Sequence, residues 1–93
     1  MNKRQKKKVW KAILLEGRGY VYPRMLAQIR AKYPPKAGAN ALWVDCQNHA
    51  PCLCTVTAFQ GERASVLFDN DDEECAVPLD SLVQTGALME IER

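Results

Sequence analysis

The chain has 93 residues, of which 47% are hydrophobic and 26% charged, and its formal net charge is +2. This length allows one globular domain with a small core, and no apolar run reaches the roughly 18 residues that a membrane span needs. The apolar segment behind the basic N-terminus is also too short for a signal peptide, so we expect a cytoplasmic protein without a membrane partner.

A first helix is predicted over residues 3–16. Val9, Ala12 and Ile13 recur at helical spacing and form a narrow apolar stripe. Gly17 is expected to end the helix, because glycine is the usual residue just past a helix end.

A second helix is predicted over about residues 23–33. Pro23 suits the first position of a helix, and Leu26 and Ile29 contribute to one apolar face. Pro34 and its neighbouring proline end the helix.

The pattern then changes to that of strands. Residues 36–40 form a small, turn-forming hinge, and residues 41–44 are apolar and β-prone. Three further strands are predicted between Cys52 and Leu82, because apolar residues alternate there with a period of two. Gly61 is expected to close a hairpin, since it accepts a positive φ.

The predicted end of the chain is a short turn followed by a last strand. Residues 78–82 are typical of a 3₁₀ turn, and Gly86 separates this turn from a strand over residues 88–91. Residues 41–93 would therefore contribute five strands in all.

Three segments resemble an SH3-like barrel, most closely the Tudor-type modules: CTVTAF at 54–59, ASVLFD at 64–69 and CAVPLDSL at 75–82. The resemblance covers residues 41–93 and implies a five-stranded antiparallel barrel that serves as a binding module. The expected fold class is therefore α+β, with N-terminal helices followed by a small SH3-like, Tudor-like β-barrel in one compact unit.

Charge is divided sharply between the two halves. Residues 1–36, the basic helical extension, hold 11 of the 13 Lys and Arg and one acid, a net charge of +10. The remaining residues hold two basic residues and ten acids, a net charge of −8. Such a chain can dock its halves together or present each half to a different partner.

The basic half predicts contact with nucleic acid. Cations on a short helix gain affinity through counterion release from phosphates, and aromatic rings stack on bases. The candidate nucleic-acid-binding residues are Lys3, Arg4, Lys6, Lys7, Lys8, Lys11, Arg18, Tyr20, Tyr22, Arg24 and Arg30. The alternative interpretation is a solvated helix face.

An acidic turn is predicted between the third and fourth strands. Its candidate partner-binding residues are Asp69, Asp71, Asp72, Glu73 and Glu74. They lack the alternation and the central glycine of a calcium loop. Two interpretations remain open, a solvated hairpin tip that protects the sheet edge and a patch that engages a basic groove of another protein.

Four cysteines and the single histidine are the candidates for metal or covalent chemistry. A structural zinc site would draw on Cys46, His49, Cys52, Cys54 and Cys75. Their spacing is irregular, and cysteines two apart on a strand share one face and pack as small core residues. No local signature supplies the orienting group or oxyanion site of a Cys-His nucleophile, so no catalytic residue, cofactor or enzymatic activity is predicted.

The sequence thus supports three functional hypotheses. The first is a non-enzymatic interaction module that binds nucleic acid or a nucleoprotein assembly through its basic helical extension. The second is a protein-binding adaptor or inhibitor that uses the acidic turn to occupy a basic groove, similar in size and charge to phage accessory proteins such as anti-CRISPR inhibitors. The third is a zinc-stabilised structural module.

Overall fold

A computed structural model describes residues 2–45, 47, 49–69 and 71–92. Within them the chain is an α+β protein with a five-stranded antiparallel sheet. Its elements in order are α1 (Lys3–Glu16), α2 (Pro23–Lys32), β1 (Asn40–Trp43), β2 (Cys52–Gln60), β3 (Arg63–Phe68), β4 (Glu74–Pro78), a 3₁₀ turn (Leu79–Ser81), β5 (Leu82–Gln84), a second 3₁₀ turn (Thr85–Leu88) and α3 (Met89–Glu92).

The two predicted N-terminal helices are confirmed. Asn2 caps α1 by accepting a hydrogen bond from the backbone N–H of Gln5, whose side chain accepts in return from the Asn2 N–H. Helix α1 ends at Gly17, as expected. Helix α2 begins at Pro23 and ends one residue earlier than predicted, because Tyr33 leaves the helical conformation.

The sheet has the strand order β4-β3-β2-β1-β5. The predicted hairpin at Gly61 is confirmed, with a φ of 64°. Between Val56 and Ala58 the register of β2 against β3 shifts, so Thr57 forms a bulge that bends the long strand. The sheet has two open edges, β4 and β5, and therefore does not close into the predicted barrel within the described residues.

The predicted last strand, residues 88–91, is wrong. The fifth strand is Leu82–Gln84, which follows the first 3₁₀ turn directly and pairs with β1. The segment that was expected to be extended is helical instead, and together with the preceding residue it contributes Ala87 and Ile91 to the core formed with the helices. These residues are four apart, so on the helical backbone they lie on the same face about one turn apart.

Strand β1 separates two hydrophobic cores. Leu42 packs with α1, α2 and the C-terminal helical segment, in a core that also includes Trp10 and Ile29. Ala41, the neighbour of Leu42, packs in a second core with residues of β2, β3 and β4. Alternate side chains of a strand point to opposite faces, so β1 is buried on both sides and joins the helices to the sheet.

Helices α1, α2 and α3 thus pack together against one face of β1. None of those in the described part of the chain is long and apolar enough to cross a membrane.

Candidate nucleic-acid interface

The cations of α1 lie on two faces of the helix. Arg4, Lys8 and Lys11 are spaced by four and three residues, which places them on one face at about 3.6 residues per turn. All three are exposed, and among the residues that the structure describes none of them forms a salt bridge. We call these three residues the outer stripe.

The loop between α1 and α2 carries exposed aromatic side chains. The loop is held to the end of β1, because the Gly19 N–H donates to the Val44 carbonyl at 3.3 Å and the backbone of Arg18 pairs with that of Asp45 in an isolated antiparallel β-bridge. Tyr20 and Tyr22 remain 48% and 36% exposed. Leu15, which continues the outer stripe by four residues, is also exposed.

The other α1 cations face a cleft of about 450 Å³. Its lining is four lysines, one carboxylate and two largely buried apolar side chains: Lys3, Lys6, Lys7, Lys32, Glu90, Trp10 and Ile91. We call it the lysine cleft. The Lys6 ammonium lies 6.0 Å from the centre of the Trp10 ring, within the range of a cation–π interaction.

Lys32 was not among the predicted binding residues. Its ammonium donates to Glu90 Oε1 at 2.7 Å, and the Tyr33 hydroxyl donates to the same oxygen at 2.6 Å. Lysines at the end of a helix are usually solvated, and nothing local in the sequence indicates that this one meets residue 90. Only the packing of α2 and α3 against α1 brings Lys32 and Glu90 together in the cleft.

The two remaining predicted cations differ in their surroundings. Arg24 is exposed in the first turn of α2, close in sequence to the tyrosines of the loop. Arg30 instead donates to the Asp80 carbonyl at 2.8 Å, and its other terminal nitrogen lies 3.8 Å from the Asp80 carboxylate. This contact ties α2 to the first 3₁₀ turn, so Arg30 has a structural role.

The predicted acidic residues are exposed together at the β3–β4 turn and the start of β4. They are Asp69, Asp71, Asp72, Glu73 and Glu74, which we call the acidic tip. The Asp71 carboxylate accepts from the Glu73 N–H at 3.3 Å, as in an Asx turn. Asn70, which belongs to the predicted turn, lies outside the described residues. Within that part of the chain no salt bridge joins the tip to a cation.

The candidate zinc ligands are dispersed. Cys46 lies outside the described residues, and His49 is exposed. Cys52 and Cys54 are two apart on β2, and Cys54 is buried with its sulfur 3.7 Å from the Ala41 carbonyl. In the described ranges no three His, Cys, Asp or Glu side chains come together in a way that would hold a metal ion.

Burial raises the pKa of the Cys54 thiol to about 11, and the negative charge of Asp69 and the Cys52 thiol add to the effect. A thiol of this kind stays protonated at neutral pH, so it is neither a ready metal ligand nor a nucleophile. Its surroundings are those of a small core side chain.

Comparisons with models of known protein families, with curated protein sequences and with solved structures find no match to this chain. The chemistry of the surface is therefore the guide to function. That surface combines an exposed row of cations, exposed tyrosine rings and a cationic cleft on one helical layer, which are groups suited to phosphates and bases.

Proposed function

We propose that the protein is a non-enzymatic module that binds nucleic acid, alone or within a nucleoprotein assembly, through α1 and the loop that follows it. The observation that carries the proposal is the outer stripe, in which Arg4, Lys8 and Lys11 are exposed and form no salt bridge among the described residues. Tyr20 and Tyr22 follow as exposed rings on the adjoining loop.

The arrangement suits binding without sequence readout. Each cation that neutralises a phosphate releases condensed counterions. Each such contact makes the slope of log K against log salt concentration more negative, by about 0.9 for duplex and about 0.7 for a single strand. Tyrosine rings stack on any base, and each stacked base contributes about 1–3 kcal/mol. The outer stripe therefore supplies affinity for the backbone, and the tyrosines favour strands with accessible bases.

The first test is the double substitution Lys8→Gln and Lys11→Gln. Glutamine keeps good helix propensity, so α1 is expected to stay folded. Loss of two phosphate contacts should reduce the magnitude of the salt slope by about 1.4–1.8, and affinity at low salt should fall at least about tenfold. Fluorescence anisotropy with a labelled oligonucleotide across a salt series measures both quantities.

The matched control is Lys36→Gln with Arg63→Gln, which removes the same charge from exposed residues outside α1. This control should bind nearly as tightly as the unaltered protein. Equal losses in the two variants would mean that only net charge matters, and an absence of binding to single strands and duplexes at low salt would sink the proposal.

The strand arrangement supports a related proposal about the fold. The order β4-β3-β2-β1-β5, with a 3₁₀ turn just before β5, is the meander expected of an open, SH3-like sheet. We interpret residues 41–93 as a Tudor-like variant that carries α1 and α2 on one face of β1. Free thiols at Cys52, Cys54 and Cys75 favour a reducing, cytoplasmic setting.

The acidic tip supports a second candidate function, that of a protein-binding adaptor or inhibitor. Its carboxylates are exposed together at one turn of the sheet and, among the described residues, are not neutralised by salt bridges. A patch of this charge is complementary to a basic groove of another protein. In this case the partner would be captured without nucleic acid.

A further inference from the structure

The lysine cleft is separate from the outer stripe. Its walls come from three elements: the first half of α1, the end of α2 and α3. Lys3, Lys6 and Lys7 lie on the same side of α1 as the buried Trp10, whereas the outer stripe is turned away from it. The cleft is therefore a second surface, built by tertiary structure.

The charge of the cleft selects a class of ligand. Four lysines and the Glu90 carboxylate line it, a formal net charge of +3. An internal phosphodiester carries roughly one negative charge, whereas a phosphate monoester carries about −1.5 to −2 at pH 7. The more highly charged group gains more from the same set of lysines, so the cleft favours a phosphate monoester.

The shape of the cleft agrees with this choice. A strand that runs along the outer stripe presents internal phosphates to cations on a convex helix surface. A concave site lined by α1, α2 and α3 instead suits a group at the end of a strand. In a nucleic acid the terminal phosphate meets both conditions, because it lies at the end of the strand and carries more negative charge than an internal phosphodiester.

Trp10, one of the lining residues, carries a buried donor without a hydrogen-bond partner among the described residues. This donor is the indole N–H, and the residue is only 6% exposed. Buried donors are normally paired, so one left without an acceptor calls for an explanation. A phosphate offers several acceptor oxygens and meets the lysines at the same time.

We propose that the lysine cleft binds the terminal phosphate of a nucleic-acid strand, so that the protein prefers phosphorylated strand ends over the same strand without the phosphate. This inference rests on the proposed function, because the rest of the nucleic-acid strand is held by the outer stripe and by the loop that carries Tyr20 and Tyr22. It adds a specific ligand group and a new binding residue, Lys32, to that interface.

The test compares a short single-stranded oligonucleotide in three forms: with a 5′-phosphate, with a 3′-phosphate and with neither. At least one phosphorylated form should bind about fivefold or more tightly than the unmodified form. Titration of ¹⁵N-labelled protein should shift the Trp10 indole resonance with that form. Trp43, which packs on Phe68 in the other core, provides the internal control and should not move.

Two variants assign the effect to the cleft. Lys32→Gln, at an exposed position, should reduce the preference for the terminal phosphate over the unmodified strand to about twofold or less. Glu90→Gln removes the one carboxylate of the cleft and should increase the preference by about two- to fivefold. Glu16→Gln makes the same change of net charge at an exposed position outside the cleft and should not alter it.

The two proposals fail in different ways. If no form of the oligonucleotide binds, the proposed function itself is wrong. If the unmodified strand binds but neither phosphate improves affinity or shifts Trp10, only the terminal-phosphate site is wrong. A preference that survives Lys32→Gln, or that falls in Glu90→Gln, would likewise overturn the assignment to the cleft.

Discussion

At the scale of single residues, Cys54 illustrates how burial determines the role of a reactive side chain. It lies on β2 in the core shared with Val56 and Val66, and its thiol donates weakly to the Ala41 carbonyl. Because burial disfavours the thiolate, the folded protein holds the proton more tightly than the unfolded chain does. Cys54 therefore makes the stability of the fold depend on pH in the alkaline range.

Stability should consequently fall as the pH rises from 9 to 11. The unfolded thiol ionises near its ordinary pKa of 9.0, whereas in the folded protein the pKa is about 11. The stability that the buried, protonated thiol contributes is therefore complete below pH 9 and is lost progressively as the pH rises toward 11. The expected loss is about 2 kcal/mol. Urea unfolding at pH 8 and pH 10.5 measures it.

Cys54→Ala isolates this contribution. The variant should be about 1 kcal/mol less stable at pH 8, because it loses part of a buried side chain. Its further loss between pH 8 and pH 10.5 should be smaller than that of the unaltered protein, since lysines and tyrosines titrate in both. Parallel losses in the two proteins would contradict the linkage to Cys54.

At the scale of elements, the α1–α2 connection depends on a close approach at Gly19. A Cβ built on this residue would lie 2.8 Å from Leu26 Cδ2 and 3.1 Å from the Val44 carbonyl oxygen. Leu26 belongs to α2 and Val44 follows β1 directly, so Gly19 lies where the helices meet the sheet. The same residue anchors the loop that carries Tyr20 and Tyr22.

Gly19→Ala should therefore destabilise the protein by about 1–3 kcal/mol, because a methyl group must displace backbone as well as a side chain. The midpoint of urea unfolding measures the change. Gly86→Ala is the control, since its Cβ would meet only the Tyr33 ring at 3.6 Å, an ordinary contact. If both substitutions had the same effect, the close packing at Gly19 would not matter to stability.

At the scale of the whole molecule, the division of charge in the sequence persists in the fold. The acidic tip follows β3 at the end of the sheet where β2 begins, because the Asp69 N–H donates to the Leu53 carbonyl. The lysine cleft lies near the start of β1. The carbonyl of Tyr33, which follows the cleft residue Lys32, accepts from the Gln84 N–H, and Gln84 lies opposite Ala41 in the sheet. Among the described residues no salt bridge joins α1 to the acidic tip.

Neutralising the acidic tip should separate the two candidate functions. Asp71→Asn, Asp72→Asn and Glu73→Gln together remove three negative charges, so affinity for nucleic acid should rise modestly, by about two- to fivefold at low salt. Anisotropy at low and high salt measures this rise, which should disappear as salt screens the charges. A loss of nucleic-acid affinity would contradict the proposed role of α1.

The second candidate function makes the opposite prediction for a protein partner. If the acidic tip occupies a basic groove, the same three substitutions should abolish nuclease-resistant capture of a basic protein from the source cell. Capture that is unchanged by the substitutions would exclude the tip as its binding surface.

Several elements were predictable from the sequence because their causes are local. Gly17 ends α1, Pro23 begins α2 and Gly61 closes the hairpin, and each acts through the conformation of its own backbone. The exposed cations of α1 were predictable for the same reason, since helical spacing alone places Arg4, Lys8 and Lys11 on one face.

The parts that the sequence did not predict depend on contacts between distant residues. Residues 88–91 are too short for periodicity to distinguish strand from helix, and the core against Trp10 decides in favour of helix. Lys32 and Glu90 are 58 residues apart, and only the docked helices bring them into one cleft. The sequence by itself thus determined α1, α2, the Gly61 hairpin and the division of charge, because these follow from local backbone preferences and residue type. Tertiary packing decided the open sheet, the C-terminal helix and the lysine cleft, because these arise from long-range burial that no local pattern encodes.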